Sequence, residues 1–179
     1  MILQRRRQPP KVKSRFVGFV ASSIDGRISL TKRTAPDWTS AEDWKFLQKS
    51  LKRFDAVVVG RNTYLAAQAR LKKRTTYVLS RRISKIKRDG SVTFVNPEKT
   101  DLGKLLQRYR TVAVLGGAGV YQYMLDHGFL DELYVTIEPL VFGRGVTMFM
   151  GGRKNIRLVL TSVRRLNKKG TILLHYKTK

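Results

Sequence analysis

The sequence predicts an α/β fold with a mainly parallel central sheet and an antiparallel hairpin at its C-terminal end. Short apolar runs rich in valine alternate with helical patterns along much of the chain, and glycine or polar residues follow several of these runs. The last two strand-like runs, at residues 158–166 and 171–177, flank a short polar segment and predict the hairpin. With 179 residues and 42% hydrophobic content, the chain is long enough for one domain core and short for two.

The composition excludes several classes of site. The chain has no cysteine, which rules out disulfides, thiolate zinc sites and cysteine nucleophiles, and its two histidines leave little for an imidazole metal site. We therefore predict no metal. No apolar run approaches the length of a membrane span, and the first residues lack the apolar centre of a secretory signal, so the sequence predicts a cytoplasmic protein without membrane contact.

Positive charge is the outlying property of the composition. Lysine and arginine number 37 against 12 acids, and the resulting formal net charge of +25 attracts polyanions. The charge is densest in residues 5–15 and 70–88, neither of which contains an acid. Because aromatic residues are not interleaved with these clusters, they do not indicate a stacking platform. Non-specific nucleic-acid binding through the basic surface stays open.

The chain divides into a basic arm and one folded domain. Residues 1–14 are polar, basic and interrupted by prolines, so we predict a flexible arm there and a folded domain over residues 15–179. Residues 16–21 predict the first strand, and residues 22–28 predict a polar turn with Asp-Gly at its tip. A buried strand that ends in a polar loop is a common place for a ligand contact in an α/β sheet.

A helix is predicted after residues 36–39. Thr39 or Ser40 can cap it, and apolar residues from position 44 to position 51 keep helical spacing. Glu42 and Asp43 fall in its first turn, where acids complement the helix dipole. An acid beside Trp38 at a helix start is also the best-placed group for handling a proton, so both interpretations stay open.

Strands and helices continue to alternate through the middle of the chain. Glycine or polar residues follow the strands at the points where helices or loops begin. The predicted elements are a strand at residues 54–59, a helix from Tyr64, strands at residues 75–79 and 92–95, and a helix capped by Thr100 or Asp101 that ends near Arg108.

The segment at residues 112–125, VAVLGGAGVYQYML, predicts a strand, a tight glycine turn and a helix. Gly116, Gly117 and Gly119 carry no Cβ, so the backbone can approach a ligand closely, and a helix start offers unpaired N–H groups to a phosphate. Such turns also occur purely for packing. A strand at residues 131–139 and a glycine-rich loop at residues 142–145 follow.

Four strand ends carry such signatures in order, namely SSIDGRI, GRNT, LSRR and GGAG, and DELYVTIEPLVFGRGVTMF follows them. In this order and spacing the chain resembles the dihydrofolate reductase-like three-layer fold. Over residues 15–178 it most resembles the reductase domain of riboflavin biosynthesis. The resemblance implies an NADPH-dependent reductase that reduces a ribosylamino-pyrimidine phosphate by hydride transfer from nicotinamide C4. Dihydrofolate reduction is the alternative within the fold, and a basic RNA-associated protein that keeps the fold is the alternative of another class.

The resemblance also implies the cofactor positions. Arginine at two of them suits a 2′-phosphate, which favours NADPH over NADH. The implied cofactor-binding residues are Ala21, Ile28, Gly60, Arg61, Asn62, Thr63, Leu79, Ser80, Arg81, Gly116, Gly117, Ala118, Gly119, Val120 and Tyr121.

At the substrate end the resemblance implies catalytic roles for Asp43 and Thr136. The substrate is expected to be a small heterocycle that can carry a phosphate. The implied substrate-binding residues are Ser22, Ser23, Asp25, Trp38 and Glu138. Homodimers are common in the riboflavin-type group, so a homodimer is open as well.

The chain departs from the riboflavin-type pattern at two places. Leu115 stands where these domains usually carry a glutamate before the glycine pair, and AAQARLKKR stands where they usually carry Asp-Pro and a basic substrate-binding segment. A sugar phosphate needs positively charged donors, which Arg70, Lys72, Lys73 or Arg74 could supply.

Overall fold

The computed structural model describes residues 13–31, 37–151 and 155–179. Most of the predicted arm, at residues 1–12, lies outside the described residues. Of its last two residues, Lys13 lies 3.5 Å from the carboxylate of Asp131. Ser14 is buried, and its hydroxyl donates to the carbonyl of Leu106 at 3.1 Å.

The described residues form strands and helices that alternate through most of the chain. In chain order the elements are β1 (Arg15–Ser23), β2 (Arg27–Ser29), α1 (Ala41–Leu51), β3 (Ala56–Gly60), α2 (Arg61–Leu71), β4 (Thr76–Leu79), β5 (Lys87–Asp89), β6 (Val92–Val95), α3 (Leu102–Leu106), β7 (Thr111–Val114), α4 (Ala118–Asp126), β8 (Leu130–Glu138), β9 (Val146–Thr147), β10 (Leu158–Arg165) and β11 (Ile172–Thr178). None of the helices in the described ranges is both long and apolar enough to cross a membrane.

Nine strands form one central sheet in the order β10-β11-β8-β1-β7-β3-β4-β6-β5, while β2 and β9 pair separately. The six strands from β8 to β6 are parallel to their neighbours. The C-terminal hairpin of β10 and β11 adds to β8 in the antiparallel sense. The predicted mainly parallel sheet with an antiparallel hairpin at its edge is therefore confirmed.

The core lies on both faces of this sheet and makes three layers. Along β3, Ala56 and Val58 point to one face, whereas Val57 and Val59 point to the other. The first face packs against α3 and α4, and the second packs against residues of α1 and α2 such as Leu51. All four strand residues are buried, as expected for a central parallel strand.

The structure corrects several element boundaries. Ser22 and Ser23, which the sequence placed in a turn, continue β1 and are fully buried. Helix α2 begins at Arg61, three residues before the predicted start at Tyr64, so it follows β3 without a loop. Trp44 lies in α1 with the predicted helical spacing, and it is 38% exposed.

Candidate functional site

A cleft of about 1480 Å³ opens at the carboxyl ends of the parallel strands. Residues at or just beyond the ends of β1, β3, β4 and β7 line it, together with the first turns of α2 and α4. The carboxyl edge of a parallel sheet is where ligands bind in open α/β folds. The cleft is therefore the candidate site.

The starts of α2 and α4 lie side by side in this cleft. Their strands are neighbours, with Val58 of β3 opposite Val114 of β7. The N–H of Gly60 donates to the carbonyl of Gly116 at 2.6 Å. Gly60 and Gly117 are the N-cap residues of the two helices, and neither supplies a side-chain cap. Two sets of first-turn N–H groups thus lack side-chain capping at one place, which suits an anion such as a pyrophosphate.

The glycine turn that opens α4 has little spare room. Gly116 has φ +79°, and a Cβ built there would collide with the ring of Tyr121. The Tyr121 hydroxyl donates to the carbonyl of Phe19 on β1, and burial raises the pKa of Tyr121. Tyr121 therefore stays protonated and fixes the turn against the sheet. The peptide bond between Gly116 and Gly117 is cis.

Arginine side chains line the same end of the cleft. Arg61 begins α2, and Arg81 and Arg82 follow β4. The nearest carboxylate to Arg81 is that of Glu98, 3.7 Å away, and both side chains are more than half exposed. Such an exposed ion pair contributes little and leaves the guanidinium able to bind a phosphate.

Asp43 is the buried acid of the cleft. It lies in the first turn of α1, whose N-cap Ser40 accepts a hydrogen bond from the Asp43 N–H at 3.3 Å. Burial raises the pKa of the Asp43 carboxyl, against the lowering effect of hydrogen bonds from Thr136 and Thr39. The nearby charge of Glu138 raises that pKa as well. Complementing the helix dipole does not require this burial, and a buried carboxyl with a raised pKa in a cleft is a candidate functional group.

Glu138 lies behind Asp43 rather than in the cleft. Its Oε1 accepts the Ser40 N–H at 2.7 Å, and its Oε2 accepts the Thr171 hydroxyl at 2.6 Å. The side chain is buried, and Thr171 also pairs with Asn167 in the turn between β10 and β11. Glu138 thereby fastens the start of α1 to the C-terminal hairpin.

The structure gathers most predicted cofactor positions in the cleft and leaves the predicted substrate positions outside it. All of the cofactor positions except Gly116 line the cleft, as do Asp43 and Thr136. Ser22, Ser23, Asp25, Trp38 and Glu138 do not line it.

Asp25 and Ser23 are engaged within the protein. The Ser23 hydroxyl donates to Asp25 at 2.6 Å, and the N–H groups of Phe142 and Gly143 donate to the same carboxylate at 3.0 and 2.9 Å. The hydrogen bond from Ser23 is the largest cause of a lowered pKa at Asp25. Trp38 packs edge-on against Phe142 at 5.0 Å. These residues join the turn after β1 to the loop after β8.

The other half of the cleft has a lining that sequence reasoning missed. Phe46, Leu47, Leu115 and Tyr134 give it apolar walls, and the guanidinium carbon of Arg70 lies 4.5 Å from the ring centroid of Trp44. In the sequence, Trp44 is a weak indication of this half of the cleft, because it lies in a helix that also carries acids and lysines.

Of the four basic residues considered for a sugar phosphate, Arg70 and Arg74 line the cleft. Lys72 and Lys73 do not line it, and the ammonium group of Lys72 lies 3.7 Å from the carboxylate of Asp89. The guanidinium of Arg74 also donates to the carbonyl of Leu51 at 3.0 Å, which fixes its place beside the end of α1.

Comparisons with known proteins agree with this fold. The family model for the RibD C-terminal domain matches residues 17–172. The uncharacterized protein YwjB of Bacillus subtilis is 25% identical over 175 residues, covering 92% of this chain and 98% of that protein.

Two solved protein structures resemble this chain in fold. One is a diaminohydroxyphosphoribosylaminopyrimidine deaminase/5-amino-6-(5-phosphoribosylamino)uracil reductase from Thermotoga maritima, with 18% identity and a TM-score of 0.74 over 93% of this chain and 57% of that one. The other is dihydrofolate reductase from Enterococcus faecalis complexed with NADP(H), with 22% identity and a TM-score of 0.65 over 93% of this chain and 97% of that one.

Proposed function

We propose, since the chain belongs to the RibD C-terminal domain family, that it is an NADPH-dependent reductase of a ribosylamino-pyrimidine phosphate. Family and fold together support a riboflavin-pathway oxidoreductase of this type. The observation that carries the finer proposal is the meeting of two uncapped helix starts, at Gly60 and Gly117, in the cleft that also holds the buried acid Asp43.

The chain's residues suit NADPH at the arginine-lined end of the cleft. The first-turn N–H groups of α2 and α4 would bind its pyrophosphate, and Arg61 and Arg81 would bind its 2′-phosphate. Ala21 and Ile28 line the cleft as apolar residues suited to the nicotinamide end. The bound cofactor supplies a hydride from nicotinamide C4.

Asp43 supports the proposal because a reduction by hydride also needs a proton. Its raised pKa keeps the carboxyl protonated at a higher pH than an exposed aspartate would allow. Thr136, on the neighbouring strand β8, hydrogen-bonds the carboxyl and orients it toward the cleft. The pair can therefore hold a proton at the substrate and deliver it through a hydrogen bond.

Arg70 and Arg74 are the residues that we assign to the substrate phosphate. Both line the half of the cleft next to α1. The contact with Trp44 holds Arg70, and the bond to the Leu51 carbonyl holds Arg74. A flat pyrimidine ring would lie against the apolar wall that includes Leu115, with the phosphate toward these guanidinium groups.

Dihydrofolate is the second candidate substrate, and two observations favour it. Asp43 and Thr136 form a hydrogen-bonded pair that resembles the acid and threonine at the pterin ring of dihydrofolate reductases. Leu115 adds apolar surface where riboflavin-type domains usually carry an acid.

The decisive experiment follows NADPH oxidation by absorbance with each candidate substrate in turn. We expect turnover of the ribosylamino-pyrimidine phosphate, and a loss of about tenfold or more in kcat/KM for Arg70→Ala with that substrate. Arg70→Lys, which keeps the charge, should recover part of the loss. If the protein turns over dihydrofolate alone, and Arg70→Ala leaves that activity unchanged, the second candidate replaces the first. If neither substrate supports NADPH oxidation, both candidates are rejected.

A further inference from the structure

A second cavity, of about 770 Å³, lies apart from the cleft, between the segment that follows β4 and helix α3. Four basic side chains line it, those of Lys85, Lys99, Lys104 and Arg108, against a single acid, Asp101. The proposed reductase activity uses none of these residues. We propose that this basic cavity binds the phosphate backbone of nucleic acid, without regard to base sequence.

The four cations are free of ion pairs within the described part of the chain. Asp101 is occupied as the N-cap of α3, where its carboxylate accepts the backbone N–H of Lys104 at 2.9 Å. Of the nearby acids, Glu98 lies against Arg81 and Asp89 lies against Lys72. The charge of the cavity is therefore left uncompensated, and its natural complement is an anion.

The positive surface continues from the cavity to the edge of the sheet. Arg88 is exposed on the edge strand β5. Burial raises the pKa of Tyr77 to about 12, whereas the positive charges of Arg108 and Arg88 lower it. The hydroxyl oxygens of Tyr77 and Tyr109 are 3.0 Å apart. A single small anion would engage only part of such a surface, whereas a chain of phosphates can engage all of it.

The lining favours backbone contacts over base contacts. The cavity's lining includes no aromatic residue, and stacking on aromatic rings is how single-stranded bases are usually held. Binding through lysine and arginine alone depends on phosphate density, so a duplex should bind better than a single strand of the same length.

The cavity and the cleft are separate sites. Pro97 and Glu98 line the cleft, whereas Asn96 and Lys99 on either side of them line the cavity. Asn96 holds the segment between the two sites in place. Its side-chain N–H donates to the Arg81 carbonyl at 3.2 Å, and its side-chain oxygen accepts the Glu98 N–H at 3.0 Å. Nucleic-acid binding can thus be tested without disturbing the reductase site.

The test is fluorescence anisotropy of the full chain with short RNA and DNA duplexes over a range of salt concentrations. The cavity variant carries Lys85→Ala, Lys99→Ala, Lys104→Ala and Arg108→Ala, all at exposed positions. We expect its affinity to fall about tenfold or more, and the slope of log K against log salt to become shallower by roughly 3.6 if all four phosphate contacts are lost.

A matched control removes the same charge from the opposite edge of the sheet. It carries Arg157→Ala, Lys168→Ala, Lys177→Ala and Lys179→Ala, which are exposed residues of the C-terminal hairpin region. Its affinity for the duplexes should fall by less than about threefold. Both variants should bind NADPH as tightly as the wild type.

Three outcomes would overturn the proposal. Equal weakening by the two variants would show that net charge alone drives binding. Competition by polyglutamate as strong as that by duplex would show a general polyanion surface, and a wild-type protein that binds neither duplex at low salt would leave no site to assign. NADPH binding, measured on the same samples, reports separately on the reductase proposal.

Discussion

The N–H of Gly60 donates to the carbonyl of Gly116 at 2.6 Å, and this single bond joins the starts of α2 and α4. A Cβ at Gly60 would lie 3.2 Å from the Val120 side chain and 3.5 Å from the Gly116 carbonyl. A Cβ at Gly60 would therefore force a small shift of the Val120 side chain, whereas a Cβ at Gly116 would collide with the Tyr121 ring. These glycines bring two helix N-termini to one place in the cleft.

Replacing Gly116 should damage both stability and the cofactor end of the cleft. Gly116→Ala puts a side chain on a left-handed backbone and also drives its Cβ into the Tyr121 ring. Gly128→Ala pays only the cost of the left-handed backbone, because Gly128 has φ +65° and no atom lies within 4 Å of a Cβ built there. Urea unfolding should show a loss of about 1–2 kcal/mol for Gly128→Ala. The loss for Gly116→Ala should be larger by about 1–3 kcal/mol. Equal losses would mean that Tyr121 moves aside at no cost.

Arg81 should distinguish NADPH from NADH. Arg81→Ala should weaken NADPH about tenfold to a hundredfold in calorimetric titrations, because it removes a charged hydrogen-bond donor to the 2′-phosphate, and should barely change NADH. Glu98→Gln removes the carboxylate 3.7 Å from Arg81 but keeps the guanidinium, so NADPH should bind as well as or better than to the wild type. If Arg81→Ala lost the same affinity for NADPH and NADH, the 2′-phosphate would bind somewhere other than at Arg81.

Glu138 should set the pH range of the reaction through Asp43. The Glu138 charge raises the pKa of Asp43, so Glu138→Gln should lower that pKa and move the high-pH decline of kcat/KM to lower pH. The glutamine can still accept the Ser40 N–H. Thr171→Val removes only the hydroxyl that donates to Glu138, and should leave the position of the decline nearly unchanged. A shift of the same size in both variants would indicate a positional effect instead of an electrostatic one.

The burial of Asp43 should lower the free energy of unfolding at neutral pH. Its folded pKa lies above its ordinary value of 3.8, so the folded chain holds a proton that the unfolded chain has released, and the free energy of unfolding falls as pH rises above 3.8. Asp43→Asn should therefore be more stable than the wild type at neutral pH, with the difference vanishing below pH 3.8. Its kcat/KM should fall by about a hundredfold or more.

The neighbouring acid is the matched control for that prediction. A hydrogen bond from Asn167 is the largest cause of a lowered pKa at Glu42, which is exposed. Glu42→Gln should therefore lose stability above pH 4.5, the opposite sign to Asp43→Asn, and keep its activity. Thermal melts at several pH values compare the two, and a destabilised Asp43→Asn at neutral pH would contradict the assigned role.

The strands and helix starts at the arginine-lined end of the cleft could be predicted from sequence because their signals are local. A valine-rich strand, a glycine turn and a helix start lie within residues 112–125, and Ser40 and Asp101, each one of two predicted candidates, cap their helices. The strands β2, β5 and β9 escaped prediction because runs of two or three residues carry no period, and they form only when a distant partner is in place.

The side-chain contacts in the half of the cleft next to α1 could not be predicted, since they join distant parts of the chain. Arg70 on α2 reaches Trp44 on α1, and Glu138 on β8 reaches both Ser40 and Thr171. Helical spacing predicted that Trp44 shares a helix with Leu47 and Leu51, but it did not predict that Trp44 lines the cleft. Spacing reports which residues share a helix face, and tertiary packing decides what that face meets.

Titration calorimetry of the full chain with NADPH is the sharpest test that the paired helix starts form a cofactor site. We predict one binding site per chain, tighter for NADPH than for NADH, and abolished in Gly116→Ala while retained in Gly128→Ala. Absence of NADPH binding by the wild-type protein, or binding that Gly116→Ala leaves intact, would contradict the assignment of the paired helix starts as a cofactor site.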